Sequence, residues 1–249
     1  YIHACVEAVK LAFSDRHTYY GDPDIIEVPI TGLLSKDFAA DRRSALDMKR
    51  AAPEMPLPGN PWYYQNGRRN PQKIVDAVPR SGPFGEDTSY TCVVDKWGNA
   101  FSATPSDSIG MASPIVPGLG MVISNRGAQS WLDPEHPSCV GPWKRPRLTP
   151  NPAIILKKGA LFMPFGTPGG DVQVQAMAQV FLNMVEFGMD PQQAIEAPRV
   201  NSLSFPNSFW PHAYSPGLLA LENRIGDDVR RKLTKRGHKL EVWNDWASN

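Results

Sequence analysis

Charge of one sign is what this chain lacks most plainly. Its 26 Lys and Arg face 25 Asp and Glu, leaving a formal net charge of +1 over 249 residues. Nothing of that size draws a protein to nucleic acid or to an anionic membrane. Cysteine is scarce. Cys5, Cys92 and Cys139 are odd in number and widely spaced, which excludes a disulfide framework and offers no metal-ligand pair. Cys5 and Cys92 fall on apolar periodic faces and read as buried thiols. No apolar run is long enough for a membrane span: Met111 to Ile123 is short and broken by Pro114, Pro117, Gly118 and Gly120. His3, His17, His136, His212 and His238 show no His-x-x-x-His spacing, so no metal is expected. A Gly-x-Ser-x-Gly elbow is missing too, which leaves a Ser-His-Asp triad without support. No internal repeat is visible.

Proline, by contrast, is abundant at 25 residues, so irregular connections are expected. With 41% hydrophobic residues, the chain can bury one sizeable core. It begins Tyr1-Ile2-His3, with no initiator methionine and helical periodicity already running. That reads as an internal start, from a processed product or a fragment. It leaves the compartment open between cytoplasm and periplasm.

Ile2, Cys5, Val6, Val9, Ala12 and Phe13 predict an amphipathic helix ending near Asp15. Ser35 to Arg50 reads as a second helix. Residues 51 to 84 are dense in proline and read as a surface connection, or as a flexible tail leading to a cleavage site. From Thr88 the pattern becomes that of a strand, with Tyr90, Cys92 and Val94 alternating. Lys96-Trp97-Gly98-Asn99 is a turn, and 100 to 104 is the hairpin partner. A further short strand is expected at 120 to 124. A second hairpin joins 153–156 to 160–165. Val174, Met177, Val180, Phe181, Met184 and Val185 predict the apolar face of a helix ended by Gly188. Asp190-Pro191-Gln192-Gln193 has the form of a capping box. Ile225, Val229 and Leu233 mark a last helix, and 240–243 a last strand. The mixture predicts an α+β fold with largely antiparallel sheets.

Two stretches carry chemistry. Asp87-Thr88-Ser89 puts a hydroxyl at the head of a strand, and Gly166-Thr167-Pro168-Gly169-Gly170 puts paired glycines between a strand and a helix. A threonine hydroxyl is a weak nucleophile. A chain break before it frees an α-amine, with a reference pKa of about 8, that can take its proton. The glycines let a substrate carbonyl approach backbone N–H groups at the positive end of a helix, as in an oxyanion hole. Both features also have ordinary structural readings, as a strand threonine and a plain turn. A phosphate loop is disfavoured, because no Gly-x-x-x-x-Gly-Lys-Ser/Thr pattern exists and Asp171 follows the glycines directly. Lys144, Arg145 and Arg147 read as a solvated basic loop.

Taken in order, several motifs resemble the γ-glutamyltransferase family of N-terminal-nucleophile hydrolases. Glu7 to Phe13, Asp15-Arg16 and Gly21-Asp22-Pro23-Asp24 resemble the end of that family's large subunit. Thr88 to Asp95 and Gly98-Asn99-Ala100 resemble the start of its small subunit. Lys144-Arg145-Pro146, the 166–170 turn and Ala197-Pro198-Arg199 resemble later signatures. The resemblance implies a four-layer αββα sandwich. It divides the chain into a large-subunit-like segment, 1–87, and a small-subunit-like catalytic segment, 88–249, joined at a self-cleaved Asp87–Thr88 bond. It also implies an upstream large-subunit segment as partner, with an arginine for the substrate carboxylate.

Thr88 then matches the nucleophile, Gly169 and Gly170 the oxyanion hole, and Ser106 a hydroxyl bonded to the nucleophile. Ser108 matches a substrate-pocket position. Departures fall in the substrate site. Ser124 to Ser130 (Ser-Asn-Arg-Gly-Ala-Gln-Ser) has no acid where transferases bind the glutamyl ammonium, and a pair of serines is replaced by Leu148 and Thr149. Arg126, Gln129 and Thr149 thus become substrate-binding candidates, and the pattern is closer to acylase-like and amidohydrolase-like members. The implied activity is an amide hydrolase or acyltransferase acting on a γ-glutamyl or related acyl amide, with water or an amine as acceptor and no cofactor. A non-catalytic member with a binding or scaffolding role is the alternative. A nucleotide-binding protein using the glycine turn ranks behind both.

Overall fold

A computed structural model describes residues 1–82, 88–106 and 113–247. Helix α1 (Ile2–Tyr19) runs one turn past the expected end, and α2 (Ile30–Leu33) is a single turn that the sequence did not reveal. α3 (Lys36–Ser44) starts as expected, with the Ser35 hydroxyl accepting from Phe38 N, but stops well short of Arg50. α4 (Pro61–Asn66) lies inside the proline-rich stretch.

The proline-rich stretch is not a surface connection throughout. Residues 52–59 lie along α1 and supply it with backbone partners. The carbonyls of Ala52, Pro56 and Gly59 accept from Lys10 Nζ (2.8 Å), Ser14 Oγ (2.6 Å) and the Tyr19 hydroxyl (2.5 Å). Trp62 in α4 is fully buried. An extended proline-rich chain has carbonyls unused by any ladder, so it can satisfy a buried polar helix face. That is why α1 buries His3, Glu7, Lys10, Ser14 and Asp15, while Cys5 and Val9 of its apolar stripe stay half-exposed.

β1 (Thr91–Val94) and β2 (Ala100–Ala103) form an antiparallel hairpin pairing Thr91 with Ala103 and Val94 with Ala100. Cys92 is exposed on β1 rather than buried, and Cys5 is half-buried. β3 (Ile115–Val116) pairs with β4 (Met121–Val122), and β5 (Ala153–Lys157) with β6 (Ala160–Phe165), both antiparallel.

α5 (Val172–Val185) follows the glycine turn. Its buried side is largely polar: of the expected apolar face Met177 is buried, beside Gln173, Gln175, Gln179 and Asn183, while Val174 and Val185 are exposed. Gln175 and Gln179 each exchange two hydrogen bonds with β7 (Val200–Ser202), acting as a substitute strand: Gln175 Oε1 accepts from Ser202 N (2.8 Å) and Gln179 donates to Val200 O (2.8 Å). Between them, α6 (Pro191–Glu196) carries the expected capping box at Asp190. β7 pairs antiparallel with β8 (Leu218–Glu222), which pairs parallel with β9 (Lys239–Trp243) after α7 (Asp227–Lys235). The core cluster joins α1, this sheet and α7 through Val6, Val200, Leu219, Leu221, Ile225 and Leu233. The fold is α+β, with antiparallel pairs predominating. No helix among the described residues is long and apolar enough to cross a membrane.

Candidate active site

The β1–β2 turn sets the site's geometry. Asp95 Oδ1 accepts from Trp97 N (2.8 Å) and Asn99 N (2.9 Å), and Gly98 adopts φ +86°. These bonds hold the Asp95 carboxyl below its ordinary pKa, the Asn99 side-chain contact foremost. With the turn fixed, the antiparallel register runs on past β1, where Ser89 N donates to Pro105 O (2.9 Å). That register sets Thr88 opposite Ser106, and their hydroxyls meet at 2.6 Å. The resemblance alone singled out Ser106; the hairpin register supplies a second, structural reason for its place opposite Thr88.

The glycine turn lies beside the same hairpin. A Cβ on Gly166 would sit 2.4 Å from the Tyr90 ring, so only glycine lets the turn pack there. Gly169 (φ +116°) and Gly170 (φ +53°) both take backbone conformations that favour glycine. Their carbonyls accept from Val172 N (2.9 Å) and Gln173 N (3.3 Å) as α5 begins. Asp171, buried at the turn, pairs with Arg16 of α1 and accepts from Ser208 N (2.6 Å) and Oγ (2.8 Å). Burial alone would raise its pKa; Arg16, its hydrogen bond and Arg147 outweigh that and hold the carboxyl below the ordinary value.

Arg126 is buried behind Ser106. It sits in a 3₁₀ turn, Asn125–Gln129, capped by the Ser124 hydroxyl. Its Nε donates to Ser106 O (2.7 Å), and its Nη2 donates to both Ser106 O and Ser106 Oγ. Gln129, fully buried, meets Thr149 Oγ1 at 3.0 Å. Turned so that every group is satisfied, its amide accepts from Thr149 and from Arg126 Nη1 (3.2 Å) and donates to Arg147 O (2.7 Å). Gln129 and Thr149 thus form a neutral layer behind Arg126. Arg126 also lines a cavity of about 870 Å³, together with Tyr20, Asp22, Leu33, Arg147 and Leu148. Asp87 and Ser108, two further candidates, lie outside the described residues.

The basic loop is not solvated as a whole. Arg147 is buried, and burial, with Arg16 next, lowers its pKa to about 9. Arg145 instead binds Asp22, donating from its backbone N (2.9 Å) and from Nη2 (2.6 Å). Two motifs far apart in sequence, Gly21-Asp22-Pro23-Asp24 and Lys144-Arg145-Pro146, are therefore partners in space.

The histidines are not scattered in space either. His17, His136 and His212 gather around Trp131, whose ring stacks on His212 (3.7 Å) and His136 (4.2 Å). His3, Glu7 and His238 bring ligand-type atoms within 4.8 Å of one another. Most of those atoms are already engaged, His238 Nδ1 excepted. His3 meets His238 (2.9 Å) and Asp47 O (2.9 Å), and Glu7 accepts from Lys10 Nζ (2.8 Å) and Ala52 N (2.9 Å). The Lys10 ammonium supplies the positive charge, and the cluster reads as a structural network.

Residues 1–248 match the family described as gamma-glutamyltranspeptidase. The chain belongs to that family. It is 30% identical over 235 residues to a glutathione hydrolase proenzyme of Bacillus subtilis, covering 94% of this chain and 38% of that protein. Among solved structures it resembles LmbA2991HD with a TM-score of 0.85 at 37% identity, covering 99% of this chain and 43% of that one. It also resembles a cephalosporin acylase from Bacillus halodurans, with a TM-score of 0.74 at 30% identity, covering 97% and 38%. The chain thus spans about two fifths of the length of these relatives. Within the gamma-glutamyltranspeptidase family, its 30% likeness to a cephalosporin acylase parallels its 30% likeness to a glutathione hydrolase.

Proposed function

We propose that the protein is a self-processing amide hydrolase or acyltransferase with Thr88 as its nucleophile. The observation that carries this reading is the 2.6 Å contact between Thr88 Oγ1 and Ser106 Oγ, at the head of a hairpin whose Tyr90 packs against the 166–170 glycine turn. The names of its relatives, glutathione hydrolase and cephalosporin acylase, support the reaction class.

The chemistry begins with Thr88 Oγ1 attacking the Asp87 carbonyl. The peptide bond exchanges for an ester, and water cleaves the ester to leave a free Thr88 α-amine. In turnover that amine takes the Oγ1 proton as Oγ1 attacks the substrate amide carbon. The Gly169 and Gly170 N–H groups hold the oxyanion, at the positive end of α5. The C–N bond breaks, the proton passes to the leaving amine, and water or a second amine releases the acyl group. Residues 1–87 act as the end of a large-subunit-like part and 88–249 as the small-subunit-like part of a four-layer αββα fold, which an upstream segment completes.

The test is intact mass of the full-length protein and its Thr88→Ala variant. Two fragments meeting at Asp87–Thr88 are expected for the first, and one uncut, inactive chain for the second. Processing of the variant at the same bond would assign the nucleophile elsewhere.

A further inference from the structure

Arg126 faces two ways. One edge borders the 870 Å³ cavity, where a cation could meet a substrate anion. The other grips Ser106 by its carbonyl and its hydroxyl. We infer that Arg126 is the positioning residue of the nucleophile, acting through Ser106, and that its part in holding the substrate is minor. The inference rests on Thr88 being the nucleophile.

The two-point hold on Ser106, by its carbonyl and its hydroxyl, carries it. A guanidinium only donates. Ser106 Oγ therefore accepts from Arg126 Nη2, and its own hydrogen points away from the cation. Thr88 Oγ1 lies 2.6 Å from the same oxygen, and either hydroxyl can be the donor of that bond. As negative charge grows on Thr88 Oγ1 during attack, Ser106 can turn its hydrogen to that oxygen while its own lone pair keeps accepting from Arg126. Nε and Nη2 together on the Ser106 carbonyl fix the backbone that aims the hydroxyl. Arg126 is itself held on its remaining sides, by Thr149 Oγ1 at 3.5 Å and by the Phe209 ring, 5.3 Å from its Cζ. An arginine only 8% exposed and this heavily engaged is built into the scaffold, where long side chains on a cavity wall are usually mobile.

A cation one hydroxyl away from Thr88 has a second effect. It disfavours protonation of the freed α-amine, so the amine becomes a base at lower pH.

The experiment compares processed wild-type protein with Arg126→Gln, Arg126→Lys and Ser106→Ala, each alone, and with the Arg126→Gln/Ser106→Ala pair. The substrate is an acyl anilide the wild type turns over. Arg126→Gln is expected to lower kcat by about 10²-fold, the scale of a small misplacement of a reacting group, with KM changed less than threefold. The acid limb of its kcat profile moves to higher pH. Arg126→Lys keeps the charge and restores the limb while recovering only part of kcat. In the Ser106→Ala background the arginine change costs little more, because its intermediary is gone. A raised KM with unchanged kcat makes Arg126 a substrate holder and overturns the inference, as does full additivity of the two changes. If Arg126→Gln does not fold, the Arg126→Lys split between kcat and KM decides alone. Thr88→Ala run in parallel separates the two readings. Activity surviving in that variant removes the nucleophile assignment itself, whereas activity lost there but kept in every Arg126 variant removes only the role given to Arg126.

Discussion

Arg16 and Asp171 form an ion pair across 155 positions of sequence, and Asp171 is the residue that follows Gly169-Gly170. The N-terminal helix therefore holds the glycine turn directly. The neighbouring Asp15 faces the other way. It accepts from Arg42 of α3 (3.0 Å) and from Gly59 N (2.8 Å), tying the same turn of helix to the proline-rich segment. The adjacent pair Asp15-Arg16 thus joins three parts of the fold.

Breaking the Arg16–Asp171 pair from one side leaves a buried charge unpaired. Arg16→Met and Asp171→Asn should each cost about 3–5 kcal/mol in urea unfolding, and the double variant much less than the sum. Simple additivity would show that the two are not coupled.

Acid should loosen the protein near Trp131. Burial, followed by Arg147 and Arg16, pushes His17 down to about 3, and burial likewise lowers His136 and His212. These imidazoles are neutral in the fold at neutral pH, while in the unfolded chain they protonate near 6.5. Between about 6.5 and 3 the unfolded state binds more protons, so stability falls with falling pH across that window. Asp171, held below its ordinary value, adds stability that is present above about 3.9 and is lost as pH falls further. Tm measured from pH 7.5 to 4.5 should decline steadily, and more shallowly in a His17→Gln variant. A flat profile would mean that these histidines are not buried as neutral groups.

Gly169→Val tests the oxyanion role. Loss of one donor costs about 10²–10³ in turnover. With φ at +116° the side chain also strains the backbone, by about 1–3 kcal/mol, so Tm falls too. Assays well below the variant's Tm separate the two effects. Ordinary activity there would remove Gly169 from the oxyanion hole.

The local elements were legible where turns are marked by chemistry. Asp95 and Gly98 announce one hairpin, Lys158-Gly159 another, and Asp190-Pro191 a helix start. What the sequence hid was the use of polar groups as core. The apolar stripes of α1 and α5 reach the core only in part, through Val6, Phe13 and Met177, and polar residues fill the rest of the buried faces, because Lys10, Ser14, Gln175 and Gln179 find partners in segments distant along the chain. Arg147 read as a loop cation for the same reason. At the candidate site, Thr88, Ser106 and the glycines could be placed from motifs, but the grip of Arg126 on Ser106 depends on a fold-level approach between two loops.

The last prediction concerns the acyl group. Arg126 and Arg147 line the cavity, and Gln129 and Thr149 lie beside Arg126; the family resemblance sets Gln129 where transferases place an acid, and its neighbours here are the Arg126 guanidinium, the Thr149 hydroxyl and the Arg147 carbonyl. A glutamyl ammonium set there would meet the Arg126 guanidinium, and the Asp22 carboxylate that lines the cavity is already held by Arg145. An unpaired buried charge costs several kcal/mol, about 10²-fold or more in kcat/KM. The des-amino glutaryl anilide should therefore be turned over better than the γ-glutamyl anilide by the processed protein. Gln129→Asp should narrow or reverse that ratio, at some cost in stability, since it places an acid where the amide now satisfies Thr149 and the Arg147 carbonyl. Ala128→Asp, one residue earlier and exposed, serves as the second position for the same charge. A clear preference of the unaltered protein for the γ-glutamyl compound would mean that its ammonium finds a partner outside these residues, and the acylase-like specificity would be withdrawn.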